Sequence, residues 1–136
     1  MIIAVIAIIV AVAALAAPYA FPASGSTSKT SSPQTREFYL MSSESTFDTI
    51  PSGLNHYIFT PPDFTVSQGD KVTIHFYNTA DDTHHTFTLP AYNINVDVAP
   101  DSNQDISFTA TQAGVFVFTC SFHAPTMRGE LTVLPA

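Results

Sequence analysis

Hydrophobic and polar residues alternate along several short segments of the chain, a pattern typical of β-strands with one buried face. The clearest is Lys71–Tyr77, in which Val72, Ile74 and Phe76 alternate with more polar residues. Turn-forming clusters separate such segments, and no helical periodicity is long enough to compete. The pattern predicts an all-β sandwich or barrel of about seven to eight strands. The other predicted strands are Glu37–Met41, Asn55–Thr60, His85–Leu89, Ile94–Val98, Asn103–Thr109, Val115–Cys120 and Gly129–Leu134.

The N-terminus has a different pattern, an uncharged apolar run at Met1–Ala17. It fits a secretory signal peptide, with Ala14-Leu15-Ala16 as a cleavage motif, although a basic start is missing. It also fits a retained membrane anchor, although a bilayer core needs about 20 apolar residues. Residues 1–22 are therefore interpreted as a signal peptide or anchor, residues 23–36 as a flexible Ser/Thr-rich linker, and residues 37–136 as the folded domain.

Charge narrows the choice of partners for this domain. Only Lys71 and Arg128 of the four basic residues lie in it, together with all 11 acidic residues. Nucleic acids and anionic lipid surfaces need a basic patch, so both are unlikely partners on charge grounds. A basic protein partner, in contrast, would be attracted.

The chain has 1 cysteine, which lies in the segment TCSFHAPTMRGELTV at Thr119–Val133. A lone thiol in an exported chain makes no internal disulfide, so its neighbours His123 and Met127 become informative. Two imidazoles, a thiolate and a weak thioether are the donors of an electron-transfer copper site. Zinc prefers a closed tetrahedral set of Cys, His or carboxylate ligands, so copper fits better.

Two separate motifs resemble those of the cupredoxins, the small blue-copper proteins. Phe118-Thr119-Cys120, His123 and Met127-Arg128-Gly129 are similar to the C-terminal ligand loop of that family, and GDKVTIHFYNTADDTHHTFTL is similar to its upstream strand, polar loop and first ligand histidine. The resemblance covers nearly all of residues 37–136. It implies a Greek-key β-sandwich that holds one copper ion through His85, Cys120, His123 and, weakly, Met127.

The ligand loop mixes features of different cupredoxins. Two residues separate Cys120 from His123, as in plastocyanins and amicyanins, whereas three separate His123 from Met127, as in azurins. Such a loop is compatible with a coordinating Met127 or with a sulfur held off the metal. The second case leaves a position open to a small molecule such as nitric oxide, and a copper storage or delivery role uses the same ligands. A binuclear centre needs two cysteines, which one chain does not supply.

The choice between two adjacent histidines follows from strand geometry, because neighbouring residues of a strand point to opposite faces. His85 shares its face with Phe87 and Leu89, so His85 is the expected ligand, unless a bulge exchanges it with His84. His56 and His75 have no partner motif and are predicted to lie at the surface.

The polar residues around the first ligand have two readings. Asn78, Asp81 and Asp82 fit a turn, since Asn and Asp bond their own backbone there. The resemblance implies that this loop also ties the two ligand loops together, with Thr86 at a position where the family often has Asn or Ser. A role in orienting the ligands follows from the general importance of outer hydrogen bonds at metal sites.

The resemblance implies an electron carrier rather than an enzyme that breaks substrate bonds. The N-terminal apolar run adds the expectation that it is exported or membrane-tethered, on the outer or periplasmic side of the membrane. His123 is expected to be the electron port, among Phe122, Ala124 and Pro125.

Overall fold

A computed structural model describes residues 32–44 and 56–136 of the chain, which form nine β-strands and one 3₁₀ turn, Pro90–Tyr92. The all-β fold predicted from the alternating pattern is confirmed. The strands are β1 (Thr35–Glu44), β2 (Tyr57–Thr60), β3 (Asp63–Ser67), β4 (Lys71–Asn78), β5 (His85–Leu89), β6 (Ile94–Val98), β7 (Ser102–Thr109), β8 (Gly114–Thr119) and β9 (Arg128–Leu134).

The strands form two sheets that pack as a sandwich. The first sheet has the order β2-β1-β4-β7 and the second the order β3-β9-β8-β5-β6. Two pairs are parallel, β1 with β4 and β3 with β9, and the others are antiparallel. The chain therefore crosses repeatedly between sheets, and strands distant in sequence become neighbours.

The strand β3 is absent from the sequence-based prediction. It comes directly after Pro61 and Pro62, which normally mark turns and interrupt strands. Its Phe64 and Val66 nevertheless point into the core while Asp63 and Thr65 are exposed, and its partner is the last strand, β9. A short alternation of buried and exposed residues next to two prolines thus forms a strand because it pairs with β9.

Aromatic side chains fill the core between the two sheets. Phe118 of β8 is fully buried at its centre, with its ring centroid 5.1, 5.7 and 4.9 Å from those of Phe59, Phe64 and Phe87. Cys120 lies two residues beyond Phe118, so this packing fixes the end of β8 from which the metal-binding loop departs.

The predicted leader and most of the predicted linker lie outside the described residues. Within 32–44 and 56–136, no helix has the length and apolar character needed to cross a bilayer. The interpretation of residues 1–22 therefore stays a prediction.

Candidate metal centre

The predicted ligands converge at one end of the second sheet. His85 is the first residue of β5, Cys120 directly follows β8, and Met127 directly precedes β9. These three strands are neighbours in the order β9-β8-β5, and β8 and β9 form an antiparallel hairpin. The hairpin loop carries His123, so three strand ends and one loop bring all four residues to the same end of the sheet.

Three of these residues form a compact cluster of donor atoms. Sγ of Cys120 lies 3.7 Å from Nδ1 of His85 and 3.4 Å from Nδ1 of His123. The donor atoms of the three residues all lie within 4.8 Å of one another. His85 and Cys120 are fully buried, whereas His123 is partly exposed.

The spacing of the donor atoms fits a shared metal ion. Sulfur and nitrogen ligands roughly 2.3 and 2.0 Å from one ion, at angles of about 110–120°, lie roughly 3.5–3.8 Å apart. A core histidine without a metal would normally satisfy its ring nitrogens by hydrogen bonds. Among the described residues, however, buried Nε2 of His85 has no hydrogen-bond partner, and Nδ1 faces the sulfur. The position of Nδ1 therefore suits a metal ligand, whereas an ion bound at that atom would still leave Nε2 without a partner.

Both imidazoles are prepared to bind a cation without losing a proton first. Burial, and to a smaller extent the nearby His123 ring, lower the pKa of His85 to about 4. Burial also lowers the pKa of His123. Metal ions bind the neutral imidazole, so protons compete weakly with a metal for these two rings near neutral pH.

His84, the alternative ligand, lies outside the cluster. Its Nδ1 is 2.9 Å from Oδ1 of Asp97, and both side chains are about half exposed. The strand is regular at this point, with His85 paired to Val98 of β6, so no bulge exchanges the two histidines. The expectation that His85 and not His84 faces the sulfur agrees with this placement. His75 likewise pairs with Asp105 on the outer face of the first sheet.

Thr86 connects the two ligand segments. Its backbone N–H donates to Sγ of Cys120 at 3.3 Å, and its hydroxyl accepts the backbone N–H of Ser121 at 2.7 Å. A hydrogen bond to the sulfur stabilises its negative charge, and the hydroxyl bond fixes the loop that follows Cys120. The structure thus gives Thr86 the connecting position that the resemblance implied.

Asn78 organises the first ligand segment alone. Its Nδ2 donates to the carbonyls of Thr83 and Val98, at 2.8 and 3.0 Å, and its Oδ1 accepts from the Ser42 hydroxyl at 3.0 Å. These bonds hold the loop that leads to His85 against β1 and β6. The described contacts of Asn78 do not reach the Cys120 loop, so the link between the two ligand loops runs through Thr86.

Met127 is fully buried at the other end of the ligand loop. Its backbone N–H donates to the carbonyl of His123 at 3.0 Å, and its carbonyl accepts the N–H of Cys120 at 2.9 Å. The loop is therefore closed on itself, and Met127 is held next to the base of the cysteine. Coordination by its sulfur stays a prediction.

Tyr57 is a neighbour of the cluster that the sequence did not reveal. Its ring centroid is 4.7 Å from the centroids of both His85 and His123. Tyr57 lies on β2 of the opposite sheet, more than twenty residues before the first ligand, and no motif surrounds it. Only the packing of the two sheets identifies it.

The comparisons with known proteins agree with this geometry. Residues 5–133 match the family model described as a cupredoxin-like domain. The chain belongs to the cupredoxin-like domain family. The cofactor of this cupredoxin-like domain is one copper ion, for which His85, Cys120 and His123 are positioned.

Among characterised proteins, the domain is similar to part of two nitrous-oxide reductases. It is 32% identical over 84 residues to that of Stutzerimonas stutzeri and 30% identical over 71 residues to that of Pseudomonas fluorescens. The matches cover 57% and 51% of this chain but only 13% and 11% of the reductases.

Solved structures show the same fold. A blue copper oxidase from Nitrosomonas europaea superposes with a TM-score of 0.64 at 22% identity, covering 74% of this chain and 39% of that one. A copper-containing nitrite reductase from Thermus scotoductus superposes with a TM-score of 0.62 at 27% identity, covering 74% of this chain and 28% of that one. The cupredoxin-like domain thus resembles one portion of larger copper proteins.

Proposed function

We propose that this cupredoxin-like domain is a single-electron carrier with a mononuclear type 1 copper site. His85, Cys120 and His123 would hold the ion and Met127 would be the weak fourth ligand. When bound, copper supplies a one-electron couple between Cu(II) and Cu(I). The observation that carries the proposal is the set of two imidazoles and one thiol whose donor atoms already lie within 4.8 Å of one another.

The surroundings of the cluster suit electron transfer because they resist rearrangement. Cys120 begins a loop closed by two backbone hydrogen bonds, and Thr86 fixes both the sulfur and the following residue. His85 is fully buried at the start of a paired strand. A site whose ligands stay in place when the charge of the ion changes has little reorganisation to drive, and the surrounding apolar shell tunes its potential.

We propose His123 as the port through which the electron leaves. It is the partly exposed member of the cluster, and Phe122 beside it is 56% exposed, with ring centroids 6.5 Å apart. Ala124 and Pro125 are exposed as well. Such a small apolar patch suits brief encounters with a redox partner.

Electron exchange should depend on the charge of the reaction partner, because the domain is strongly acidic. With tris(phenanthroline)cobalt(III), a cationic oxidant, we expect the stopped-flow rate constant of the reduced protein to fall as salt rises. With hexacyanoferrate(III), an anionic oxidant, it should rise. Rate constants that do not change with salt concentration for either oxidant would contradict electrostatic steering towards a basic partner.

Replacement of Met127 tests the fourth ligand. We expect the copper-loaded wild-type chain to show an intense thiolate-to-copper(II) absorption band with a type 1 EPR spectrum. Met127→Leu should keep the band but raise the reduction potential by more than about 59 mV, a tenfold change in the one-electron equilibrium.

Met41→Leu is the matched control, since Met41 lies exposed on the outer face of the first sheet. The control should leave both spectra and the potential unchanged. Equal potentials for wild type and Met127→Leu would contradict coordination by Met127, and the absence of any thiolate band would contradict the type 1 site itself.

Export or tethering through residues 1–22 remains part of this proposal. Its support is the uncharged apolar run at the N-terminus.

A further inference from the structure

Three aromatic rings meet at the metal cluster, and only two of them belong to ligands. The centroids of His85 and His123 are 4.7 Å apart, and Tyr57 is 4.7 Å from each. Tyr57 reaches them from β2, in the sheet opposite the one that carries the ligands. The phenol ring therefore covers both imidazoles at once.

The Tyr57 ring is held by its hydroxyl. The oxygen lies 3.3 Å from Oγ1 of Thr83, and Oγ1 of Thr83 donates its proton to Oδ1 of Asp82 at 2.7 Å. Thr83 has one hydroxyl proton, so the phenol must be the donor in the first of these contacts. Asn78 in turn fixes the carbonyl of Thr83. The ring is thereby tied to the loop that leads into His85.

The plane of His85 depends on packing on the side away from the sulfur. In the part of the chain that the structure describes, its Nε2 makes no hydrogen bond. Most metal-binding histidines are oriented by such a bond from the second ring nitrogen. Here Tyr57 contributes a T-shaped contact instead, with the two ring planes 70° apart.

Tyr57 also separates the cluster from a small polar pocket. It lines a pocket of about 110 Å³ together with Ser42, Thr79 and Asp81, among others. A space of this size accepts a small ligand or a few water molecules. The same side chain thus contacts the imidazoles and forms part of the wall of a space that a small ligand can enter.

We propose that Tyr57 is a positioning residue that closes the copper centre. Its ring sets the planes of His85 and His123 and keeps small exogenous ligands away from the metal. The inference rests on copper binding at the proposed site. It deepens the electron-transfer proposal, because a closed centre exchanges electrons without binding a substrate.

The test is an azide titration of the copper(II)-loaded chain, followed by absorption and EPR. We expect the wild type to show little change. Tyr57→Phe should stay close to it, because it keeps the ring over both imidazoles and loses only the hydroxyl contact with Thr83. Tyr57→Ala should bind azide at least about tenfold more tightly, a difference of about 1.4 kcal/mol. Its EPR spectrum should also change before azide is added, because the imidazole planes are released.

Tyr39→Ala is the matched control, because Tyr39 stacks on His75, a histidine outside the cluster, with ring centroids 4.8 Å apart. It should behave as wild type. Tyr57→Leu serves if Tyr57→Ala does not fold, and should give an intermediate azide affinity.

Two results would overturn the proposal: azide binding by the wild type as tight as by Tyr57→Ala, or unchanged exclusion of azide in both Tyr57→Ala and Tyr57→Leu. These two results can be distinguished from a failure of the electron-transfer proposal. That proposal is judged by the thiolate band of the wild type, whereas azide binding is visible in the EPR spectrum of any copper(II) site.

Discussion

Replacing Cys120 by serine should remove the thiolate-to-copper band completely and lower copper affinity by more than about 100-fold. The loss should be this large because removing a residue that only hydrogen-bonds to a metal ligand already costs about 10–100-fold in metal affinity. The sulfur of Cys120 lies 3.7 Å from Nδ1 of His85 and 3.4 Å from Nδ1 of His123. A serine hydroxyl stays protonated near neutral pH and is a poor donor for Cu(I), which prefers soft thiolate ligands. Competition with a copper chelator, followed by absorption, measures both effects.

Two comparisons separate ligand loss from damage to the core. Cys120 is fully buried, so Cys120→Ser also buries a hydroxyl in place of a less polar thiol. The copper-free unfolding free energies of Cys120→Ser and Cys120→Ala report that cost without the metal. His85→Ala should lower copper affinity as Cys120→Ser does. His84→Ala, at the exposed neighbouring position, should keep the copper affinity of the wild type. Copper affinity of Cys120→Ser within about twofold of wild type would contradict a thiolate-centred site, because a true ligand is worth far more than RT ln 2.

Much of the fold could be predicted because alternation reports the faces of a strand directly. The segment Lys71–Tyr77 reads as a strand from its residues alone, and the structure extends it by one residue, to Asn78. The partners of a strand are a different matter. That β1 runs parallel to β4 and β3 parallel to β9 depends on the whole sandwich, and no local pattern records it. The strand β3 is not predicted for the same reason. Pro61 and Pro62 directly before it indicate a turn, and its short alternation forms a strand only because it pairs with β9.

The residues of the metal cluster also differ in how far the sequence predicts them. Cys120 and His123 lie three residues apart in one loop, so their spacing carried the prediction, and strand parity selected His85. The contact of Tyr57 with both imidazoles, in contrast, arises where β2 of one sheet packs over the ends of β5 and β8 in the other. A single tyrosine in a weakly patterned strand gives no signal of that contact. Sequence spacing therefore predicts the ligands, whereas the contact of Tyr57 with them follows only from the packing of the two sheets.

A methyl group at position 129 should be the most damaging small change in the domain. Gly129 is the second residue of β9, and a Cβ there would collide with the backbone carbonyl of Pro62 and with the ring of Phe118. The Pro62 carbonyl also accepts the N–H of Glu130 at 2.9 Å, so it has no freedom to retreat. Gly129→Ala should destabilise the copper-free protein by about 3 kcal/mol or more, at the upper end of the cost of overpacking a core. Denaturant unfolding measures this change.

The neighbouring position supplies the control for this prediction. Glu130 is exposed, and its contact with Arg128 is a 3.6 Å surface ion pair. Such pairs contribute little, so Glu130→Ala should change the unfolding free energy by no more than about 0.5 kcal/mol. A loss of under about 1 kcal/mol in Gly129→Ala, close to the average for point substitutions, would show that the close approach of β9 to Phe118 is not required.

A double variant identifies the cause of the loss. Phe118→Leu shortens the side chain that a Cβ at position 129 would meet, so the two substitutions should be less harmful together than the sum of their separate effects. We expect a coupling of at least about 0.5 kcal/mol in a double-mutant cycle. Phe118 and Gly129 pair directly across β8 and β9, and Cys120 and Met127 lie two residues beyond them, so Gly129→Ala should also weaken the thiolate band of the copper-loaded protein. The double variant should recover part of that band. Additive losses would assign the damage to the contact with the Pro62 carbonyl rather than to the ring of Phe118.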